Sequence, residues 1–373
     1  MFQKLFESLK IGPTTIKNRI QVLPHNTLFD FETLIPYCEA RARGGAGLIE
    51  ISLATPTRDL GELPSGPVNA WPYKGFDQRI VPLYQKMATA IHGSGAKLFV
   101  QMASAGGNRS AKRGASPVPG GIQRTTSRQL NEQEIEGIVE DHAKAAKLML
   151  DGGIDGVDLH GTHGMLLEEF LSRATNRRTD RYGGSLDNRL RIVLEIISRI
   201  RETTKGELAV GMRLDADDKF PQGNDLAEEV RLASKLDSKL DFLNVDLGFE
   251  HQYTHLSIAP FYEEPGYQLY AAQTIKQVTK NAVVGATGRI VDPALAEQVL
   301  QQGIADIVGM TRALIADPEL PNKAREGKIA DIRFCLGDNQ WCIGNMLRGR
   351  PMRCTVNPLI GREGDPFARN QTA

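Results

Sequence analysis

The segment His160-Gly161-Thr162-His163-Gly164 holds the residues with the most evident chemistry. It directly follows an apolar run at 156–159 that reads as a β-strand. Two imidazoles at i and i+3, at the mouth of a strand, can point into one pocket and donate N–H groups to one oxygen. Such a pair would polarise a carbonyl and stabilise the oxyanion of a developing enolate. The same spacing also suits two partly buried histidines capping a turn, or two ligands of a zinc site. Zinc would need a third ligand from a distant loop, and no H-E-x-x-H pattern is present. A second cluster is Cys335, Cys342 and Cys354 in the tail, with Cys38 standing apart. In a reducing compartment, such a cluster points to metal or redox chemistry before disulfides.

These residues need a scaffold, and the hydrophobic pattern supplies one. Short runs rich in Val, Ile and Leu at 20–23, 47–52, 97–102, 156–159, 208–214, 242–245, 282–284 and 306–308 read as strands. Amphipathic stretches of helical length lie between them, for example 133–150, 188–202, 227–235 and 293–302. The alternation predicts an α/β protein with a parallel sheet covered by helices, closed into a (β/α)8 TIM barrel. Gly44-Gly45-Ala46-Gly47, Gly152-Gly153 and Gly303 precede strands and read as helix C-caps, with no chemistry assigned. Loops at 112–128, 220–224 and 250–267 would crown the C-terminal face, where barrel enzymes place their active sites. After about residue 332 the rhythm breaks. The expected organisation is a barrel over 1–330 and a cysteine-containing C-terminal extension over 331–373.

Composition bounds the partners. Lys+Arg and Asp+Glu balance at 45 each over 373 residues, so no global field favours nucleic acid or an anionic membrane. No apolar run approaches the roughly 20 residues that span a bilayer. The first ten residues lack the apolar stretch and cleavage site of a signal peptide, so a cytoplasmic protein is expected.

The run His160-Gly-Thr-His163-Gly-Met-Leu-Leu-Glu-Glu-Phe170-Leu-Ser, continued by Asn176-Arg-Arg-Thr-Asp180-Arg-Tyr-Gly-Gly184-Ser, resembles the signature of the old yellow enzyme family. More narrowly, it is similar to the branch containing 2,4-dienoyl-CoA reductase and trimethylamine dehydrogenase. Related signals run from Leu5-Phe6-Glu7 and Lys17-Asn18-Arg19-Ile20 to Asn357-Pro358. The resemblance implies an FMN-bearing barrel with NAD(P)H as electron donor. It places Gln101 at the flavin pyrimidine and Arg213 beside N1 and O2, where a cation stabilises the anionic reduced ring. Pro24 falls where the family's backbone skirts the isoalloxazine. Gly288-Arg289 and Gly309-Met310-Thr311-Arg312, after the last two strands, would cradle the phosphate.

Four departures qualify the resemblance. Where the family usually has a tyrosine acid two residues after the second pocket donor, this chain has Met165. His251, in the loop after the sixth strand, resembles a histidine of the dienoyl-CoA reductase site and is the expected replacement; Tyr253 and His255 lie nearby. Cys335, Asp338, Cys342 and Cys354 match a [4Fe–4S] motif in which Asp338 occupies the second cysteine position. Three thiolates and a carboxylate would hold a cluster less securely, and a vestigial motif with three free thiols is the alternative. Pro24-His25 is followed by Asn26 where trimethylamine dehydrogenase has a flavin-bonding cysteine, which excludes that covalent link. The G-x-G-x-x-G fingerprint of the multidomain relatives is not found before Ala373, so the sequence is either a stand-alone barrel or part of a longer chain. Electrons are expected from free NAD(P)H or from a dinucleotide-binding or electron-transfer partner subunit or domain, and homo-oligomerisation is expected.

The expected reaction is hydride transfer from NAD(P)H through FMN to an activated C=C bond of an enone or enoyl thioester. Oxidative N-demethylation is the first alternative, with Trp71, Tyr73, Tyr253, Tyr262 and Trp341 available for a cation–π bowl. A flavin-binding electron-transfer subunit without turnover is the second.

Overall fold

Each apolar run becomes a strand buried on both sides, by helices outside and by the barrel interior within, which is why the runs are continuous rather than alternating. The computed structural model describes residues 2–57, 73–106, 112–117, 126–220, 222–248 and 254–369. Eight strands form the barrel: β1 (Ile20–Val22), β2 (Leu48–Thr55), β3 (Lys97–Met102), β4 (Gly156–Gly161), β5 (Ala209–Asp215), β6 (Phe242–Asp246), β7 (Val283–Ala286) and β8 (Ile307–Gly309). Every neighbouring pair is parallel. β8 pairs back onto β1 through Val308 and Ile20, so the sheet closes as expected.

The helices follow the expected positions and are capped by local chemistry. They include α1 (Phe31–Arg43), α2 (Val81–His92), α3 (Glu132–Asp151), the short α4 (Leu166–Leu171), α5 (Leu186–Thr203), α6 (Leu226–Leu236), α7 (Leu269–Val278), α8 (Pro293–Gln301) and α9 (Thr311–Ala316). Asn131 and Glu134 form a reciprocal capping box on α3, and Ser185, Asp225 and Asp292 cap α5, α6 and α8. At the joints, Gly45 (φ +109°), Gly153 (φ +80°) and Gly303 (φ +65°) take the left-handed conformation that lets a helix turn into the next strand.

The barrel has an apolar lower end and a polar upper end. A hairpin pairing Leu9–Ile11 with Thr14–Ile16, not anticipated from the hydrophobic pattern, closes the N-terminal end. Its Ile11 and Ile16 pack with Leu48, Phe99, Ala209, Phe242 and Ile307. Above this plug, Gln21, Glu50, Gln101, Asp158 and Asn244 are buried. A row of buried polar groups there is tolerated because they hydrogen-bond one another. Gln21 Nε2 donates to Glu50 Oε1 at 2.5 Å, and Gln101 Nε2 to Asp158 Oδ2 at 2.8 Å.

The C-terminal segment packs back onto the barrel. Arg41 of α1 and Glu363 form a buried ion pair at 2.8 Å. The Met352 N–H donates to Thr27 O at 2.9 Å, and Asn357 Nδ2 to Ile315 O at 2.8 Å. Among the described residues, no helix is long and apolar enough to cross a membrane.

Candidate active site

The upper ends of the strands open onto a cleft of about 1180 Å³, part of it open to solvent. β1 delivers Leu23, Pro24, His25 and Asn26, β3 delivers Gln101, and β5 delivers Arg213. The turn after β4 supplies His160, His163 and Met165. Residues after β7 and β8 add Gly288, Arg289, Gly309, Thr311 and Arg312, and the C-terminal segment adds Cys342, Met346 and Met352. Residues expected from the sequence to hold a cofactor and act on a substrate therefore line one cavity. His251 and Tyr253 lie outside the described residues. His255 is exposed and does not line the cleft; Tyr267 does instead.

The two histidines sit edge to face, with ring centroids 5.2 Å apart. His163 has φ +60°, a conformation that costs a non-glycine residue energy and collects at functional sites. Its Nε2 lies 3.1 Å from Asp246 Oδ2, and the same carboxylate is ion-paired with Arg213. Burial alone would raise the Asp246 carboxyl, but Arg213 and His163 outweigh it and hold it at about 2. Asp246 therefore stays ionised and joins the histidine pair to the arginine. The contact fixes which ring nitrogen of His163, Nε2, faces the carboxylate.

The turn carrying the histidines is pinned from below. Glu168 of α4 accepts a hydrogen bond from the Gly164 N–H. Carboxylate oxygens of Glu168, Asp215 and Asp218 lie within 4.8 Å of one another. Burial, then mutual repulsion, lifts Glu168 and Asp215 well above the ordinary carboxyl range. Like charges this close favour retention of a proton within the cluster.

His25 has a defined tautomer. Its Nδ1 hydrogen-bonds Leu23 O at 2.8 Å, so that nitrogen carries the proton, and Nε2 accepts from Tyr37 Oη at 2.7 Å. Burial lowers its pKa to about 4, which keeps the ring neutral.

The phosphate end was expected at the loops after β7 and β8. Arg289 has φ +54° and follows Gly288 at φ +111°. A Cβ on Gly288 would lie 2.5 Å from Gln268 Cγ, and one on Gly309 only 2.3 Å from Leu23 Cδ1. Thr311 Oγ1 accepts from the Leu23 N–H at 2.8 Å, and Arg312 Nη1 donates to Ala259 O and Asn339 Oδ1. These two residues thus partly serve the loop scaffold. Arg213 Nε and Arg289 Nε are buried with no hydrogen-bond partner among the described residues. Orphaned guanidinium donors at two positions around the cleft fit an anionic, ring-bearing cofactor that would satisfy them.

Beside this cleft, a smaller pocket is lined by Cys335, Asp338, Cys342, Cys354 and Arg312. Asp338 Oδ2 accepts from Thr355 Oγ1 at 2.5 Å. Burial raises the Cys335 and Cys342 thiols above their ordinary pKa. Cys342 and Arg312 line both pockets. Of the aromatic residues considered for a cation–π bowl, Tyr262 and Trp341 are exposed and do not line the cleft, while Trp71, Tyr253 and the Tyr73 side chain lie outside the described residues.

Sequence reasoning missed Asp246 and Asp158. Asp158 reads as an ordinary polar residue of a strand and Asp246 falls just past the 242–245 run, and only barrel closure turns both inward. The signal available was a charged residue inside an otherwise apolar β run, which is costly unless paired.

A family profile described as the NADH:flavin oxidoreductase / NADH oxidase family matches residues 4–331. The chain is 38% identical over 381 aligned positions to an NADH oxidase of Thermoanaerobacter brockii, covering 97% of this chain and 57% of that protein. It is 32% identical to an N,N-dimethylglycine/sarcosine dehydrogenase of Chromohalobacter salexigens, covering 97% and 54% respectively. The solved structure of a 2-naphthoyl-CoA reductase complex superposes with a TM-score of 0.86 at 29% identity, over 98% of this chain and 58% of that one. The fold is a closed TIM barrel with a cleft at the C-terminal ends of its strands. The chain belongs to the NADH:flavin oxidoreductase / NADH oxidase family. It spans just over half the length of the curated relatives it matches.

Proposed function

We propose that the protein is an FMN-dependent oxidoreductase that passes reducing equivalents from NAD(P)H to an activated C=C bond of an enone or enoyl thioester. The observation that carries this reading is the convergence of His160, His163 and Arg213 on one cleft, with Asp246 contacting both His163 and Arg213. FMN supplies the hydride chemistry when bound. Gln101 and Arg213 would hold its ring, while Gly288, Arg289, Gly309, Thr311 and Arg312 would surround its phosphate. His160 and His163 would hold the substrate carbonyl oxygen by hydrogen bonds that strengthen as negative charge develops there. Met165 lines the cleft and has no proton to give, so protonation of the substrate carbon falls to water or His251.

Oxidative N-demethylation is the second reading. Met165 in the acid position favours it, because an amine oxidation needs no proton delivered to carbon. The similarity to a dimethylglycine/sarcosine dehydrogenase points the same way. For the smaller pocket, we propose an iron–sulfur cluster held by Cys335, Cys342 and Cys354 with Asp338 at its weakest corner. Electrons would pass between that cluster or a partner and the flavin.

The deciding experiment purifies the protein, records its visible spectrum, and offers two substrates. Oxidation of NAD(P)H driven by 2-cyclohexenone supports the reductase. Formaldehyde released from N-methylproline, with no enone-driven turnover, would replace it with the demethylase. Folded protein that stays colourless with added FMN refutes both.

A further inference from the structure

Gln101 is the polar side chain that β3 sends into the cleft, and its carboxamide has two chemically opposite ends. Nε2 donates to Asp158 Oδ2 at 2.8 Å, and both residues are buried. An ionised carboxylate can only accept, so it holds the NH2 end toward itself and leaves the carbonyl Oε1 for the cleft. A protonated Asp158 gains an O–H that competes to donate to Oε1, the arrangement in which the amide is turned end for end. The neighbouring pyrimidine of a flavin is not indifferent to that turn. Its N3–H is a donor flanked by two carbonyl acceptors, so it matches an amide oxygen and clashes with an amide NH2.

We propose that Asp158 is the positioning residue for the flavin ring: acting through Gln101, its ionised carboxylate presents an acceptor to the ring N3–H, and its protonated form withdraws it. The inference rests on the FMN reading above and adds to it a residue that never touches the cofactor.

The surroundings of Asp158 make its proton balance close. Burial lifts the carboxyl to about 7, against the pull of Gln101 and of Arg213 on β5. Glu50 of β2 is likewise raised well above the ordinary carboxyl range, by burial and by Asp158. Asp246 of β6 adds a negative charge already paired with Arg213. Gln21 of β1 and Asn244 of β6 donate to Glu50 and carry no charge, and β7 and β8 contribute no titratable group. Among the described residues, Asp158 Oδ1 has no hydrogen-bond partner. Its folded pKa lies above the ordinary value, so the acceptor-presenting form prevails above about pH 7 and is lost as pH falls through it.

The test is titration of the full-length apoprotein with FMN, followed by flavin fluorescence, from about pH 8.5 to about pH 5.5, repeated with 3-methyl-FMN. Wild-type affinity for FMN should fall about tenfold over that range, the size of one mismatched hydrogen bond. 3-Methyl-FMN, which has no N3–H, should show no such step. Asp158→Asn has no proton to gain and should lose the step for FMN. A merely structural role would lower affinity equally at every pH. A flat wild-type profile, an equal step with 3-methyl-FMN, or a step retained in Asp158→Asn overturns the proposal while leaving the flavin reading intact. The 3-methyl-FMN comparison decides the matter even if the variant fails to fold. Wild type that binds no FMN at any pH removes both readings together.

Discussion

Replacing Asp246 with asparagine tests the centre of the site, because one carboxylate there serves two cations. Asp246 is buried, contacts Arg213 and His163, and titrates at about 2 against an ordinary 3.8. At roughly 1.4 kcal/mol per pKa unit, that depression is worth about 2.5 kcal/mol of folding stability at neutral pH. Asp246→Asn also strands the half-sequestered Arg213 charge, and removing one partner of a buried pair typically costs about 3–5 kcal/mol. We expect a loss of about 3 kcal/mol, since the new amide can still accept one hydrogen bond. With a urea m-value of about 3 kcal/mol/M, the unfolding midpoint drops by roughly 1 M. The sign of the pH dependence is fixed by the depressed pKa. The contribution is complete above the unfolded value near 4 and is lost only as pH falls through about 2. The gap between wild type and variant should therefore stay level from about pH 8 to about pH 5. Losing its carboxylate partner, His163 should also hold an oxyanion less well, and phenolate binding should weaken about tenfold. A midpoint equal to wild type, or a gap that closes between pH 8 and pH 5, would refute the electrostatic account.

Other expectations follow from the same geometry. Replacing both His160 and His163 with alanine should abolish the long-wavelength charge-transfer band with phenols while FMN remains bound, read by absorption titration. Arg213→Met should lower the flavin-to-protein ratio of the purified protein, because the orphaned Nε and the paired Nη2 are both removed. Glu363→Ala leaves Arg41 buried and unpaired, so thermal unfolding should show a loss of about 3–5 kcal/mol, with early proteolytic cutting of the C-terminal segment. Gly156→Ala places a Cβ 2.7 Å from the Phe99 ring in the lower plug and should cost about 1–3 kcal/mol in urea without changing flavin affinity. Asp338→Cys completes a four-thiolate set and should raise iron content in anaerobically purified protein.

The primary structure alone determined the barrel, and the reason is local. Buried parallel strands demand unbroken Val/Ile/Leu runs, helices between them demand a 3.6-residue period, and each joint demands a glycine such as Gly153. Lys97–Met102 appears with the bounds read from its residues, and the other strands differ by a few residues at their ends, where pairing rather than composition decides. The long His160–Ser185 signature likewise carried the family and the cleft residues on its face. What no linear pattern contained was which charges meet across the barrel. Asp246 reaches His163 and Arg213, and Asp158 reaches Gln101. Hydrophobic periodicity records which side of an element is buried. Electrostatic partnership depends on distance between strands far apart in sequence, and closure of the barrel alone sets that distance.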